Sequence, residues 1–230
     1  MLTSDDIKLV ALNLGADRCG IASVDRFNDA PAGFHPEDIY KECRSVVVFL
    51  KKMPEGAVKS GDAVVYTHTA EYLYKYLDRI GMDLCFELEK NGITAVPVPS
   101  DVPYMHYEPE RMHGMGILSM RQSAHNAGLG ILGRNTLLIN KDLGNLAYIG
   151  AILTNALLEP DPTVTDLHCP KNCRKCLDAC PVQALDGITV NQALCRKHSI
   201  LAHPRGWSLY TCSKCRTVCP FSFKTQLPDL

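Results

Sequence analysis

An α/β domain, in the broad sense that includes α+β, followed by a small module organised by cysteines is the architecture that this 230-residue sequence predicts. Three observations carry it. Apolar β-branched runs and one long stretch of helical periodicity fill the first 160 residues. Eight of the eleven cysteines fall within residues 169–219. Pro160, Asp161 and Pro162 mark a linker between the two regions, so the expected division is 1–160 and 161–230. A hydrophobic content of 46% allows a sizeable core, while 21% charged residues and a net charge of -1 argue against a disordered chain or a strongly basic binder. No apolar run reaches membrane-spanning length and the start lacks the basic and apolar parts of a signal peptide, so a cytoplasmic protein is expected.

Residues 5–14 read as a short helix, with Ile7, Val10, Ala11 and Leu14 on one face, Thr3 or Ser4 as its cap and Gly15 as its stop. A strand is expected at 19–24. Ser45-Val46-Val47-Val48-Phe49-Leu50 is apolar without alternation, the pattern of a strand covered on both faces. Tyr72, Leu73, Tyr76, Leu77, Ile80, Leu84 and Leu88 recur at helical spacing up to Asn91-Gly92, so a helix packs on that sheet. Another strand follows at 93–98. Pro99, Pro103, Pro109, Gly114 and Gly116 predict an irregular loop over 99–116, of the kind that often carries function. A helix is expected at 117–127, then strands at 136–140 and 146–153 joined through a turn at 140–144. Cys19, Cys43 and Cys85 are scattered and read as small buried hydrophobes.

The remaining cysteines repeat a unit. Cys173-x2-Cys176-x3-Cys180-Pro181, preceded by Cys169, is followed by Cys212-x2-Cys215-x3-Cys219-Pro220. A cubane iron–sulfur cluster needs four thiolates converging from several directions. Closely spaced cysteines in a turn supply three, and the cysteine before proline reaches the neighbouring cluster. The expected ligands are Cys169, Cys173, Cys176 and Cys219 for one 4Fe-4S cluster, and Cys180, Cys195, Cys212 and Cys215 for a second. Cys195 enters by elimination, and His168 is a reserve ligand for the first. A zinc site would show two separated C-x2-C pairs, with no need for a third cysteine before proline. Residues 169–219 carry eight Lys or Arg and two Asp, which leaves the rest of the chain at -7. Two clusters with their thiolates offset about four of those six positive charges. Lys171, Arg174, Lys175, Arg196, Lys197, Lys214 and Arg216 are therefore read as compensating the clusters, and a nucleic-acid partner is not expected.

Gly128-Leu129-Gly130-Ile131-Leu132-Gly133 matches G-x-G-x-x-G, but a dinucleotide site needs a strand before and a helix after, and here the order is reversed. The glycines read instead as a tight turn allowing close approach of another segment or a large flat ligand. Several segments together resemble the epoxyqueuosine reductase family, which is corrinoid-dependent and related in its core to reductive dehalogenases. They are Ala127-Gly128-Leu129-Gly130-x-x-Gly133-Arg134-Asn135-Thr136-Leu137-Leu138, Ile152-Leu153-Thr154, both cysteine units, Leu14-Gly15-Ala16-Asp17-x-x-Gly20-Ile21-Ala22 and Arg44-Ser45-Val46-Val47-Val48. The resemblance implies an N-terminal domain that cradles cobalamin beside a ferredoxin-like module that feeds electrons to cobalt. It also places Gly128, Leu129, Gly130, Gly133, Arg134 and Asn135 near the corrin.

Two departures shape the functional expectation. The family's acidic proton donor falls, in this register, on Gly114, and the sequence ends 11 residues after Cys219, without the helical repeats that dock tRNA in the family. The expectation is a corrinoid-dependent reductase that delivers electrons from a ferredoxin or flavodoxin to cobalamin and reduces a small substrate, not epoxyqueuosine in tRNA. The alternatives are an electron carrier without a substrate, or a reductase serving a partner protein. Reducing an organic bond generally consumes protons. Tyr104, His106, Tyr107 and His113 are the candidate sources, with His125 beside the glycine turn and Arg111 and Arg121 as anion clamps.

Overall fold

The computed structural model describes residues 2–165, 167 and 169–223, so the reserve ligand His168 lies outside the described residues. Helix α1 (Ser4–Asn13) opens on a capping box: the Asp6 amide donates to Thr3 Oγ1 at 3.2 Å and the Thr3 amide donates to Asp6 Oδ2 at 2.9 Å. After it come β1 (Arg18–Ser23), the short α2 (Pro36–Ile39), β2 (Ser45–Lys52), α3 (Glu55–Lys59), the long α4 (Ala63–Glu89) and β3 (Ala95–Val98). The chain continues through β4 (His106–Glu108), β5 (His113–Met115), α5 (Met120–Asn126), β6 (Ile131–Leu132), β7 (Leu138–Ile139) and β8 (Ala147–Thr154). The cysteine region holds α6 (Lys175–Asp178), α7 (Gln192–Ser199), β9 (Ile200–Ala202), β10 (Ser208–Tyr210) and α8 (Lys214–Thr217).

The main sheet has the order β1-β2-β8-β3 and every pair in it is antiparallel, which makes the domain mixed α/β of the α+β kind. The unbroken apolar run of β2 follows from its central place. Val47 and Phe49 pack with Leu77, Ile80 and Leu84 of α4 and Ile7 of α1, while Val46, Val48 and Leu50 pack on the other face with Ala124 of α5 and Ala127. Gly150 of β8 lies against Phe49, whose ring would overlap any Cβ placed there.

Three expectations change. The loop at 99–116 contains an antiparallel hairpin, β4 on β5, with Tyr107 opposite Gly114 and Glu108 opposite His113. The strands near 136–140 and 146–153 do not form one hairpin: β7 pairs with β6, and β8 enters the main sheet between β2 and β3. The bend between them is closed by reciprocal hydrogen bonds of Asn140 and Gly144. The Pro-Asp-Pro segment is also tied down. Asp161 exchanges backbone and side-chain hydrogen bonds with Ile21, its carboxylate accepts from Lys8 at 2.9 Å, and its carbonyl accepts from Arg26 at 2.6 Å.

The cysteine region sits on this domain through specific polar contacts. The Tyr210 amide of β10 donates to Thr67 of α4 at 2.8 Å, and the Asn145 amide donates to the Phe221 carbonyl at 3.2 Å. No helix among the described residues is long and apolar enough to cross a membrane.

Candidate metal centre

The two cysteine units fold alike. Helices α6 and α8 each begin two residues after the first cysteine of the unit. They end on Ala179 (φ -79, ψ -10) and Val218 (φ -80, ψ -10), so Cys180 and Cys219 leave their helices in the same direction before a proline. The two helices pack on one another. A repeated sequence thus becomes a repeated local structure.

The thiols fall into two groups. Burial pushes the Cys176 thiol above its ordinary pKa, reinforced by Cys169 and Cys173 beside it. Burial does the same to Cys219, again with Cys169 and Cys176 as neighbours. These four cysteines line one pocket with Arg134, Asn135, Ile139 and Phe221. In the other group burial pushes the Cys215 thiol up to about 11, and its thiol neighbours are Cys195, Cys212 and Cys180. Each unit therefore contributes its third cysteine to the other unit's group, and Cys195 on α7 completes the second. Crowded buried thiols resist ionising together, and a cationic metal–sulfur core removes that penalty because bound thiols are deprotonated outright. The donor chemistry fits such a core. Cys43 and Cys85 are buried in the two apolar cores, and Cys19 is half-buried beside one of them.

Arg134 and Asn135 face the cysteines. Arg134 donates to the carbonyls of Cys173 at 3.0 Å and Lys171 at 2.7 Å, and Asn135 donates to the carbonyl of Cys215 at 3.0 Å. The glycines of the same segment stand where a side chain has no room. A Cβ on Gly128 would overlap the Pro162 carbonyl, one on Gly130 the Ile139 carbonyl, and one on Gly133 would lie 2.7 Å from the Ile139 side chain. Leu129 is buried with the core against α5. The close approach that these glycines permit is to the protein's own chain.

Of the candidate proton sources, Tyr104 and Tyr107 come together at the β4–β5 hairpin with their rings 6.4 Å apart, while His113, paired with Glu108, is one residue out of step with the Tyr107–Gly114 pair and so on the other face. The Tyr104 ring fills the space beside Gly114: a Cβ there would lie 2.8 Å from it and 2.9 Å from the hydroxyl oxygen. His113 Nδ1 is buried without a hydrogen-bond partner, 3.8 Å from Glu108 Oε1. His106 turns away to pack on Phe34 at 4.8 Å. Arg111 pairs with Glu108, Arg121 donates to the Thr136 carbonyl, and His125 Nδ1 lies 3.0 Å from the Gly130 carbonyl. The pattern of the sequence does not single out Asp101. Desolvation raises its carboxyl pKa, Arg196 opposes the rise, and Asp78 and Glu71 add to it. An isolated Asp in a loop carries no signal of this, because its neighbours come from α4 and α7.

Helix α7 holds this hairpin. Gln192 and Gly114 exchange hydrogen bonds at 3.1 and 3.2 Å, and Arg196 donates to the Met112 carbonyl at 2.8 Å. Cys195 lies on the same helix.

The class that these features define is a thiol-rich protein on a mixed α/β scaffold, with eight of its cysteines gathered in two groups. The chain is 30% identical over 254 residues to the epoxyqueuosine reductase of Staphylococcus aureus, an alignment covering 94% of this chain and 63% of that protein. Its fold matches a crystal structure of epoxyqueuosine reductase with an epoxyqueuosine-modified tRNA-Tyr stem loop, at TM-score 0.62 and 19% identity over 97% of this chain and 66% of the other. It also matches a reductive dehalogenase structure described for B12-dependent dehalogenation, at TM-score 0.72 and 21% identity over 97% of this chain and 32% of the other. No family model matches. The chain is a homologue of proteins named epoxyqueuosine reductase and shares its fold with them and with reductive dehalogenases, as the motifs imply.

These relatives correct two expectations. The exclusion of epoxyqueuosine in tRNA as substrate, and of nucleic acid as partner, rested on Gly114 and on where the sequence ends. The relatives bear the name of that activity, and one is bound to a tRNA stem loop. The sequence spans 63% of the S. aureus protein, so its last residue says nothing about what docks RNA. A formal charge of -7 outside residues 169–219 describes an average and does not exclude a local RNA-binding face.

Proposed function

We propose that the chain is an iron–sulfur oxidoreductase of the epoxyqueuosine reductase kind, which reduces a modified nucleoside carried by RNA. It holds two 4Fe-4S clusters in a ferredoxin-like module (161–230) beside an α/β domain (1–160). The observation that carries this reading is the division of eight cysteines into two groups of four. Cys169, Cys173, Cys176 and Cys219 hold one cluster, and Cys180, Cys195, Cys212 and Cys215 hold the other. Exchange of the third cysteine between units keeps the two centres adjacent, and single electrons from a reduced ferredoxin or flavodoxin pass through them. Cobalamin, when bound, supplies two-electron reducing chemistry at the substrate.

Loss of an epoxide oxygen as water consumes two electrons and two protons, and the protons must come from side chains or solvent. Tyr104 is the donor best supported. Its ring occupies the space that a side chain at position 114 would take, and its hydroxyl is a hydrogen-bond donor. His113 is paired with Glu108 on the other face of the hairpin, so the second proton comes from solvent.

The test begins with anaerobic reconstitution and counting of iron and acid-labile sulfide, where about eight irons per chain are expected. Titration with cob(II)alamin followed by electron paramagnetic resonance then reads binding as a changed cobalt signal. A tRNA stem loop bearing epoxyqueuosine is finally incubated with protein, cobalamin and a reductant, and the loss of one oxygen is read by mass spectrometry. Four irons or fewer overturn the two-cluster reading. An intact epoxide with both clusters and cobalamin loaded overturns the substrate.

A further inference from the structure

Arg216 is the only Lys, Arg, Asp or Glu among the buried residues described, at 8% exposed, and no described carboxylate pairs with it. Its Nη1 donates to the Asn145 carbonyl, its guanidinium carbon stands 5.5 Å from the centre of the Tyr148 ring, and Tyr66 lies beside it. Tyr74 closes the group, its ring 5.1 Å from that of Tyr148. A carbonyl acceptor and aromatic faces leave the guanidinium's charge uncancelled, and a buried unpaired charge is among the most costly groups a fold can carry. Along the chain Arg216 follows Cys215, whose ionised form the guanidinium favours.

We infer that Arg216 is the buried counter-charge of the cluster held by Cys180, Cys195, Cys212 and Cys215, and that it raises that cluster's reduction potential; this rests on the two-cluster reading above. Four thiolates with their iron–sulfur core carry about two negative charges, and one electron from the donor protein adds a third with no proton. A fixed cation in a low-dielectric site stabilises the more negative state more, so the equilibrium moves towards reduction. Arginine suits the position because it stays charged when buried and lays a flat face on Tyr148. The basic residues Lys197 and Lys214 sit on the water-facing side of the same region, where salt screens them; Arg216 is shielded from salt.

The experiment uses the full chain with clusters reconstituted, and iron and sulfide are counted first. Redox titration followed by electron paramagnetic resonance compares wild type, Arg216→Gln and Arg216→Lys. In Arg216→Gln one cluster becomes at least tenfold harder to reduce, about 59 mV for a one-electron couple, while the other cluster is unmoved and Arg216→Lys restores most of the shift. Unmoved potentials in a fully loaded Arg216→Gln protein overturn the inference, as does a shift just as large in Arg216→Lys, which would make the role one of packing. Should neither variant load its clusters, the wild type decides: a potential that holds as salt rises tenfold supports a buried counter-charge, and one that falls assigns the role to exposed lysines. A wild type with fewer irons than two clusters require defeats the two-cluster reading instead.

Discussion

At the scale of single residues Tyr104, the proposed donor, is set against Asp101, a carboxylic acid on the same loop whose pKa is raised. Tyr104 is placed by contact with Gly114; Asp101 is solvent-exposed, near Arg196 and the acidic Asp78 and Glu71. Tyr104→Phe keeps the ring and removes the proton, so turnover is expected to fall about 10²- to 10⁴-fold, the usual contribution of a positioned acid. Asp101→Asn is expected to leave it within a few-fold. Single-turnover rates on cluster-loaded protein check this, and the reverse ranking would assign the proton to Asp101. A second residue-scale prediction concerns Glu55, which accepts from Lys59 at 2.8 Å and Lys52 at 2.9 Å. The Lys59 bond, then the Lys52 bond, hold its carboxyl at about 2 against an ordinary 4.5. A carboxyl lowered on folding stabilises the protein above its unfolded pKa, and that stability is lost as pH falls through the folded value. The urea-midpoint difference between wild type and Glu55→Gln should be constant above about pH 5 and shrink as pH drops from 4.5 towards 2. A difference still at full size at about pH 3 would mean that the two lysine contacts are solvated.

At the scale of elements, α7 joins the cysteine region to the β4–β5 hairpin. Gln192 grips Gly114 through two hydrogen bonds and Arg196 grips Met112, with Cys195 between them in sequence. Gln192→Ala combined with Arg196→Ala removes all three bonds at a partly buried contact, each worth about 1 kcal/mol. Amide exchange over residues 106–115 is expected to rise at least tenfold while β2 and β8 keep their protection. Unchanged exchange at the hairpin would show that Tyr104 and Tyr107 packing alone holds it. The same hairpin shows where sequence patterns stop being informative. Strand β2 and helix α4 were legible because each buries a continuous apolar face. His106, Tyr107 and Glu108 are all exposed, so no alternation marks them as a strand; their pairing depends on α7, some eighty residues away. The pairing of β7 with β6 was hidden for a related reason: two-residue strands are set by close approach at Gly130 and Gly133, and leave almost no periodicity. The two repeated cysteine units were legible as like local structures because their spacing is the same, whereas Cys195 on α7 carries no spacing signal and was reached by elimination.

At the scale of the whole molecule the two regions are held together by different means. The α/β domain buries apolar side chains on both faces of its sheet. Among the described residues beyond 168, the buried apolar side chains are Cys176, Ala184, Cys219, Phe221 and Phe223. Two of those five are proposed cluster ligands, and so small an apolar set cannot order such a segment alone. Metal binding then supplies the organising free energy, as in small metal-dependent domains whose unfolded chains lack a formed site. Docking contacts from the domain add to it: Arg134 to Cys173, Asn135 to Cys215 and Thr67 to Tyr210. Removing the clusters with a chelator under reducing conditions should therefore separate the two regions in stability. Hydrogen exchange over residues 173–217 is expected to approach that of an unstructured chain, while β1, β2, β8 and α4 stay protected and the far-ultraviolet spectrum keeps most of its helical signal, since α4 is the longest helix. Arg134→Ala in the loaded protein should show a smaller loss confined to the first cysteine unit, because Cys173 and Lys171 give their carbonyls to that one guanidinium. Uniform loss of protection across both regions on chelation would mean that the clusters stabilise one cooperative unit. Retained protection at 173–217 would mean that the hydrogen bonds to the domain suffice to order the cysteines before any iron arrives.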